Sequence, residues 1–143
     1  MKKHLVRGAL AGALLVLSAP ALAACSSEPV EVASPADVVF DGSHVGYSTF
    51  AAATEVEGVT VVDVRTAAEF AEGHLPGAVN IDVNSPAFAD EIAALDPAAD
   101  YAVYCRSGNR SRAAMAQMAS AGFESMLGLE GGIGAWSGEV VAG

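Results

Sequence analysis

The stretch YAVYCRSGNRSRAAMAQM, Tyr101 to Met118, changes character twice. Tyr101 to Tyr104 is apolar and aromatic, and Cys105 to Arg110 is polar, with one cysteine, one glycine and two arginines. From Ser111 onward, Ala114, Met115 and Met118 fall at helical spacing. That order predicts a buried strand, a tight loop and an amphipathic helix running to Ala121. In parallel sheets, ligands sit beyond the carboxyl ends of the strands, where strand gives way to helix. Cys105 stands at such a junction.

The same alternation extends in both directions. Val59-Thr60-Val61-Val62-Asp63-Val64 is β-branched and apolar, as expected of a strand buried on both faces. Ser48 or Thr49 is placed to cap an Ala-rich helix through Val56. Thr66 to Glu72 has helical character and stops at Gly73. Ala78 to Asp82 is a short strand candidate, and Pro86 to Leu95 a helix ended by Asp96-Pro97. Ser125 to Leu129 reads as a last strand, and Gly131-Gly132 opens a short helix carrying Trp136. Strands alternating with helices predict an α/β fold: a three-layer α/β/α sandwich around a mainly parallel sheet.

The amino-terminal segment has a different character. Lys2, Lys3 and Arg7 precede an uncharged apolar run from Ala9 to Leu22, and Leu22-Ala23-Ala24-Cys25 leads into polar residues. A basic start, a short apolar run and small residues at the end describe a secretory signal peptide. The run is short for a transmembrane helix, which needs about 20 apolar residues. A cysteine directly after Leu-Ala-Ala resembles a bacterial lipobox, which implies that Cys25 is lipidated and becomes the mature amino terminus. Each buried acyl methylene adds about 0.8 kcal/mol, so several chains on one residue anchor a protein stably. The expected organisation is a lipoprotein signal peptide over 1–24, a tether over 25–43 and one domain over 44–143. The expected location is extracytoplasmic, anchored by lipid to the bacterial cell membrane.

Removal of the leader sharpens the charge balance. It takes three of the 7 basic residues and none of the 17 acids, leaving four bases and a formal charge of −13. The four are Arg65, Arg106, Arg110 and Arg112, three of them in the loop region after Cys105. Such a chain has no basic surface for nucleic acid. The mature 119 residues suit one domain. With Cys25 acylated, Cys105 is the one remaining thiol, and an internal disulfide is impossible.

If Cys105 to Arg110 curls around the sulfur, its backbone N–H groups form an anion nest. The helix beginning near Ser111 adds unpaired N–H groups and the positive end of its dipole. Gly108 permits the backbone angles of a tight loop, and Arg106 and Arg110 add formal charge. A thiol in this setting ionises readily, and the thiolate is the nucleophile. The same cradle would hold an anionic substrate.

Four landmarks in series carry a family resemblance: Asp63-Val64-Arg65 with Glu69; Gly73-His74-Leu75-Pro76-Gly77-Ala78; Cys105-Arg106-Ser107-Gly108-Asn109-Arg110; and Gly131-Gly132 with Trp136. From about Val45 to Trp136 the chain resembles a single rhodanese domain. The resemblance implies a rhodanese-like α/β fold and a sulfurtransferase, in which Cys105 takes sulfane sulfur from a donor such as thiosulfate. It then becomes a persulfide and passes the sulfur to a thiol, cyanide or a partner protein. Arg106, Ser107, Gly108, Asn109 and Arg110 are implied as the anion and persulfide cradle. The chemistry calls for no metal and no organic cofactor. Its partners are a small sulfur-containing anion, an acceptor, and the membrane through the lipid anchor.

Two other readings bear on the same loop. Tyrosine phosphatases and related arsenate reductases space cysteine and arginine by five residues, whereas here that place is Ser111 and Arg110 comes one earlier. A shorter loop suits sulfur over a tetrahedral phosphoryl group. A tethered sulfur carrier, redox sensor or interaction module without efficient turnover is the remaining alternative. Asp63, Arg65, Glu69 and His74 are assigned structural support. Arg65 is expected to pair with Glu69 or another acid, His74 to make a structural hydrogen bond in its turn, and Trp136 to plug the core behind Gly131-Gly132.

Overall fold

Strands buried on both faces need helices above and below them, and the chain supplies both. The computed structural model describes residues 33–143. The leader, Cys25 and the first part of the tether lie outside the described residues. The strands are β1 (Asp41–Val45), β2 (Thr60–Asp63), β3 (Val79–Asn80), β4 (Tyr101–Tyr104) and β5 (Met126–Leu129). They form one sheet in the order β1-β5-β4-β2-β3, with every neighbouring pair parallel. β4 is therefore central, between β5 and β2, and the three-layer α/β expectation holds.

Period-two alternation along β4 divides the core. Tyr101, Val103 and Cys105 pack with Ala114, Met115 and Met118 of helix α4 (Asn109–Ser120) and with Phe88 and Ile92 of helix α3 (Phe88–Ala93). Ala102 and Tyr104 face the other way, with Phe50 of helix α1 (Tyr47–Thr54), Leu75 and Leu129. Each large apolar side chain so buried contributes about 1.5–3 kcal/mol. The stripe of Ala114, Met115 and Met118 read from the sequence is the buried face of α4.

Helix α2 (Ala67–Glu72) begins with a complete capping box. Thr66 Oγ1 accepts from the Glu69 N–H at 3.2 Å, and Glu69 Oε2 accepts from the Thr66 N–H at 3.1 Å. Two orphan amides are satisfied reciprocally.

Several boundaries differ from expectation. β1 occupies Asp41–Val45, so three residues assigned to the tether belong to the sheet. Asp41, Gly42 and Ser43 are exposed on an edge strand and show no apolar run; their strand character comes from pairing with β5. α1 starts at Tyr47 with Gly46 as its cap, ahead of Ser48 and Thr49. The helix expected over Pro86 to Leu95 is confined to Phe88–Ala93. α4 starts at Asn109, two residues before Ser111, because Gly108 sits in the left-handed region at φ 95° and turns the chain directly into the helix. Gly132–Ala135 forms one 3-10 turn, and Trp136 follows it. Trp136 is half-buried and packs edge-on against Tyr47 and Phe50, closing the α1 face of the sheet.

Candidate active site

Cys105 follows the central strand and is fully buried. The Gly108 N–H donates to its Sγ at 3.0 Å, and Ser111 Oγ lies 3.7 Å from it. Burial pushes the thiol up. The backbone N–H groups of Ser111, Ser107 and Gly108, with the Ser111 hydroxyl, more than offset it, so the thiol lies below its ordinary value. Backbone dipoles around an ionised sulfur are the expected cause of such a shift.

The nest is held from behind by the turn that follows Gly131-Gly132. Ile133 N–H donates to the Cys105 carbonyl at 2.8 Å, and Gly134 N–H to the Arg106 carbonyl at 3.2 Å. Gly132, at φ 59°, lies so close that a Cβ there would fall on the Cys105 carbonyl oxygen and 2.5 Å from the Arg106 carbonyl carbon. Gly131-Gly132 therefore acts as a flat backing for the loop, which leaves the loop's amides free to turn toward the sulfur.

The arginines of the loop are not equivalent. Arg110, in the first turn of α4, makes a two-pronged contact with Glu69, Nη1 to Oε2 and Nη2 to Oε1, both at 2.7 Å. Arg112 bonds the Gly108 carbonyl at 3.2 Å and lies 4.0 Å from Glu130. Arg106 is exposed and has no ion-pair partner among the described residues. Ser107 and Asn109 are also exposed, beside the nest, and Gly108 is buried within it. The formal charge expected from both Arg106 and Arg110 is thus divided: Glu69 neutralises Arg110, and Arg106 is left to face solvent. The first turn of α4 runs through Asn109 and Arg110, so those two residues frame the nest from the helix and not from a loop.

The supporting residues lie below this layer. Asp63, fully buried at the end of β2, pairs with Arg65 through contacts of 3.0 and 2.6 Å, and Arg65 Nη2 also reaches the Gly73 carbonyl at 2.6 Å. Arg65 thus takes Asp63, and Glu69 is left for Arg110. Burial pushes Arg65 down, but Asp63 outweighs it and holds the guanidinium above its ordinary value. His74 Nδ1 lies 2.9 Å from the Phe70 carbonyl, and its ring is stacked on Phe70. Tyr104 Oη accepts from the Leu75 N–H at 3.0 Å, which ties that turn to the central strand.

One residue of the cluster has no sequence signal. His44, on β1, places Nε2 2.9 Å from Ser111 Oγ. A histidine in a polar edge segment, 67 positions from its partner, matches no motif, and only the pairing of β1 with β5 brings it there.

A thiol whose pKa is lowered by backbone amides, buried at the carboxyl end of the central strand, is the feature around which this α/β domain is built. A family model, the rhodanese-like domain, matches residues 47–139, and the chain belongs to that family. It is 40% identical over 87 residues to a thiosulfate sulfurtransferase GlpE of Pseudomonas fluorescens, covering 60% of this chain and 77% of that protein. A sulfurtransferase of Allochromatium vinosum is 39% identical over 84 residues, covering 58% and 76%. Among solved structures, a rhodanese-like domain protein from Staphylococcus aureus superimposes with a TM-score of 0.62 at 26% identity, covering 71% of this chain and 97% of that one. A rhodanese-related protein from Thermoplasma volcanium gives 0.59 at 28% identity, covering 68% and 96%.

Proposed function

We propose that the protein is a sulfurtransferase that carries sulfane sulfur on Cys105, from an anionic donor such as thiosulfate to a nucleophilic acceptor. The observation that carries this reading is the Gly108 N–H, 3.0 Å from a buried Sγ. It favours anionic sulfur at that point in the free enzyme. Kinship with proteins named thiosulfate sulfurtransferase supports it.

The reaction runs in two displacements. The Cys105 thiolate attacks the outer sulfur of thiosulfate; the new S–S bond forms as the old one breaks, and sulfite leaves with the electron pair. Cyanide or a thiolate then attacks the terminal sulfur of the persulfide and returns Cys105 as thiolate. Both steps bring one anion to another, so amide dipoles aimed at the sulfur lower the barrier without proton transfer. Arg106 is the free charge beside the nest for the incoming donor.

Incubation with thiosulfate and then cyanide tests the reading. Thiocyanate should form with repeated turnover and disappear in Cys105→Ala. One equivalent of persulfide without turnover would make the protein a carrier instead.

The leader segment supports a second, independent proposal: Cys25 is acylated and the domain is anchored outside the cytoplasm. Cys25→Ser should move the protein from the membrane fraction to the soluble fraction, and retention in the membrane overturns the anchor.

A further inference from the structure

Ser111 Oγ stands at the centre of three contacts. His44 Nε2 is 2.9 Å away, the Gly108 carbonyl 3.0 Å and Cys105 Sγ 3.7 Å. A hydroxyl has one proton and two lone pairs, so the neighbours decide where that proton points. With the thiol protonated, S–H donates to Ser111 Oγ. With the thiol ionised, the sulfur becomes an acceptor and the serine proton has to turn to it. In this geometry the Ser111 hydroxyl donates to the Gly108 carbonyl at 3.0 Å; that carbonyl also accepts from the Arg112 N–H at 3.3 Å and from Arg112 Nη1 at 3.2 Å, so it keeps two donors when the serine proton turns to the sulfur. What remains is to fill the serine lone pair from the opposite side.

We propose that His44 is a positioning residue of this site: its Nε2–H donates to Ser111 Oγ and so turns the Ser111 hydroxyl onto the ionised sulfur of Cys105. The relay crosses three elements, from β1 through α4 to the end of β4, and extends the sulfur-transfer reading above. Unlike that reading, it concerns the thiolate alone and needs no donor.

The fold makes room for the ring. His44 is paired in register with Gly128 on the neighbouring strand. A Cβ at Gly128 would stand 2.6 Å from His44 Cδ2 and closer still to two other ring atoms. Gly128 has no positive φ to explain its glycine. It lies in a buried strand otherwise made of methionine and leucines, where glycine weakens the sheet. The space left by its absent side chain is the space the imidazole fills. Burial first, and then Arg112, lower the ring's pKa, with Glu130 pulling only partly the other way, which favours the neutral imidazole. A neutral ring that donates from Nε2 leaves Nδ1 unprotonated, and no bond to Nδ1 opposes this tautomer among the described residues.

The test reads the pH dependence of Cys105 alkylation in the full-length chain, resolved at that residue by mass spectrometry. The midpoint of the profile reports the thiol pKa, and the plateau separately reports access to the sulfur. His44→Leu should raise the midpoint by about half to one pH unit, the scale of one hydrogen bond to the thiolate. His44→Gln, whose amide N–H reaches as far as Nε2, should stay near wild type. His44→Asn, polar but too short to reach Ser111, should follow Leu, and it serves if Leu does not fold. In a Ser111→Ala background the His44 changes should add nothing. Unshifted Leu and Asn midpoints, equal shifts for Gln and Asn, or additive shifts with Ser111→Ala would each overturn the relay. Loss of thiocyanate formation by the wild type, with the shifts present, would overturn sulfur transfer and leave the relay standing.

Discussion

Arg110 and Glu69 meet through two parallel contacts of 2.7 Å, and this fork ties the first turn of α4 to the first turn of α2. Glu69 also completes the capping box with Thr66. One carboxylate thereby fixes a helix start and Arg110, and an arginine expected to serve the anion cradle is tied to the scaffold.

The acid stability of the protein should record this pair. Arg110, first, and the Thr66 contacts hold Glu69 down to about 2, against burial, from an ordinary 4.5. A depressed folded pKa gives stabilisation that is complete above about pH 4.5 and lost as pH falls toward about 2. The two side chains are 28% and 26% exposed, so screening limits the contribution to about 1 kcal/mol. Glu69→Gln should cost about that much at pH 7 in urea unfolding, with the difference from wild type closing by about pH 2.

Arg106 should carry donor binding where Arg110 does not. Arg106→Ala is expected to raise KM for thiosulfate by about two- to tenfold, the scale of one solvent-screened charge contact. The midpoint of Cys105 alkylation should move little. A KM unchanged from wild type in the steady-state assay would remove Arg106 from the donor site.

Gly132 is the most sensitive backbone position near the sulfur. A methyl group there meets the Cys105 carbonyl and the Arg106 backbone, at a φ of 59° that favours glycine. Gly132→Ala should destabilise by about 2–3 kcal/mol and reduce thiocyanate formation by at least about tenfold. Gly122→Ala, with φ 99° but open space around it, is the control, expected to lose about 1 kcal/mol and keep activity. Equal activity losses in the two would contradict a backing role for Gly132.

The buried pair Asp63–Arg65 should dominate stability. Asp63→Ala leaves Arg65, only 6% exposed, without its carboxylate, and removing one partner of a buried pair costs about 3–5 kcal/mol. Denaturant unfolding should show that loss with the m-value unchanged, whereas a loss under about 1 kcal/mol would mean the Gly73 carbonyl alone satisfies the guanidinium.

Much of the fold was legible because the elements that form the sheet interior declare themselves locally. Val61-Val62 and Tyr101 to Tyr104 are apolar runs bounded by glycine or polar loops, and both became central strands. Thr66 with Glu69 three residues on is a capping signature, although the same carboxylate's second partner, Arg110, was not readable. β1 carries no strand signal in the sequence, because exposed edge residues show no burial pattern. The start of α4 is not legible either, since Asn109 and Arg110 have no preference that separates loop from first turn; Gly108 in the left-handed region decides it.

The sequence by itself determined the alternation of strand and helix, the cysteine at the end of a buried strand, and the three arginines gathered just after it. These follow from local periodicity and composition, which act on neighbours in the chain. Only the tertiary structure decided which arginine is spent on Glu69, which glycine backs the loop, and that His44 reaches Ser111 across the sheet. Those facts depend on strand order and register, which bring together residues as much as 67 positions apart. No local preference encodes a distance of that kind.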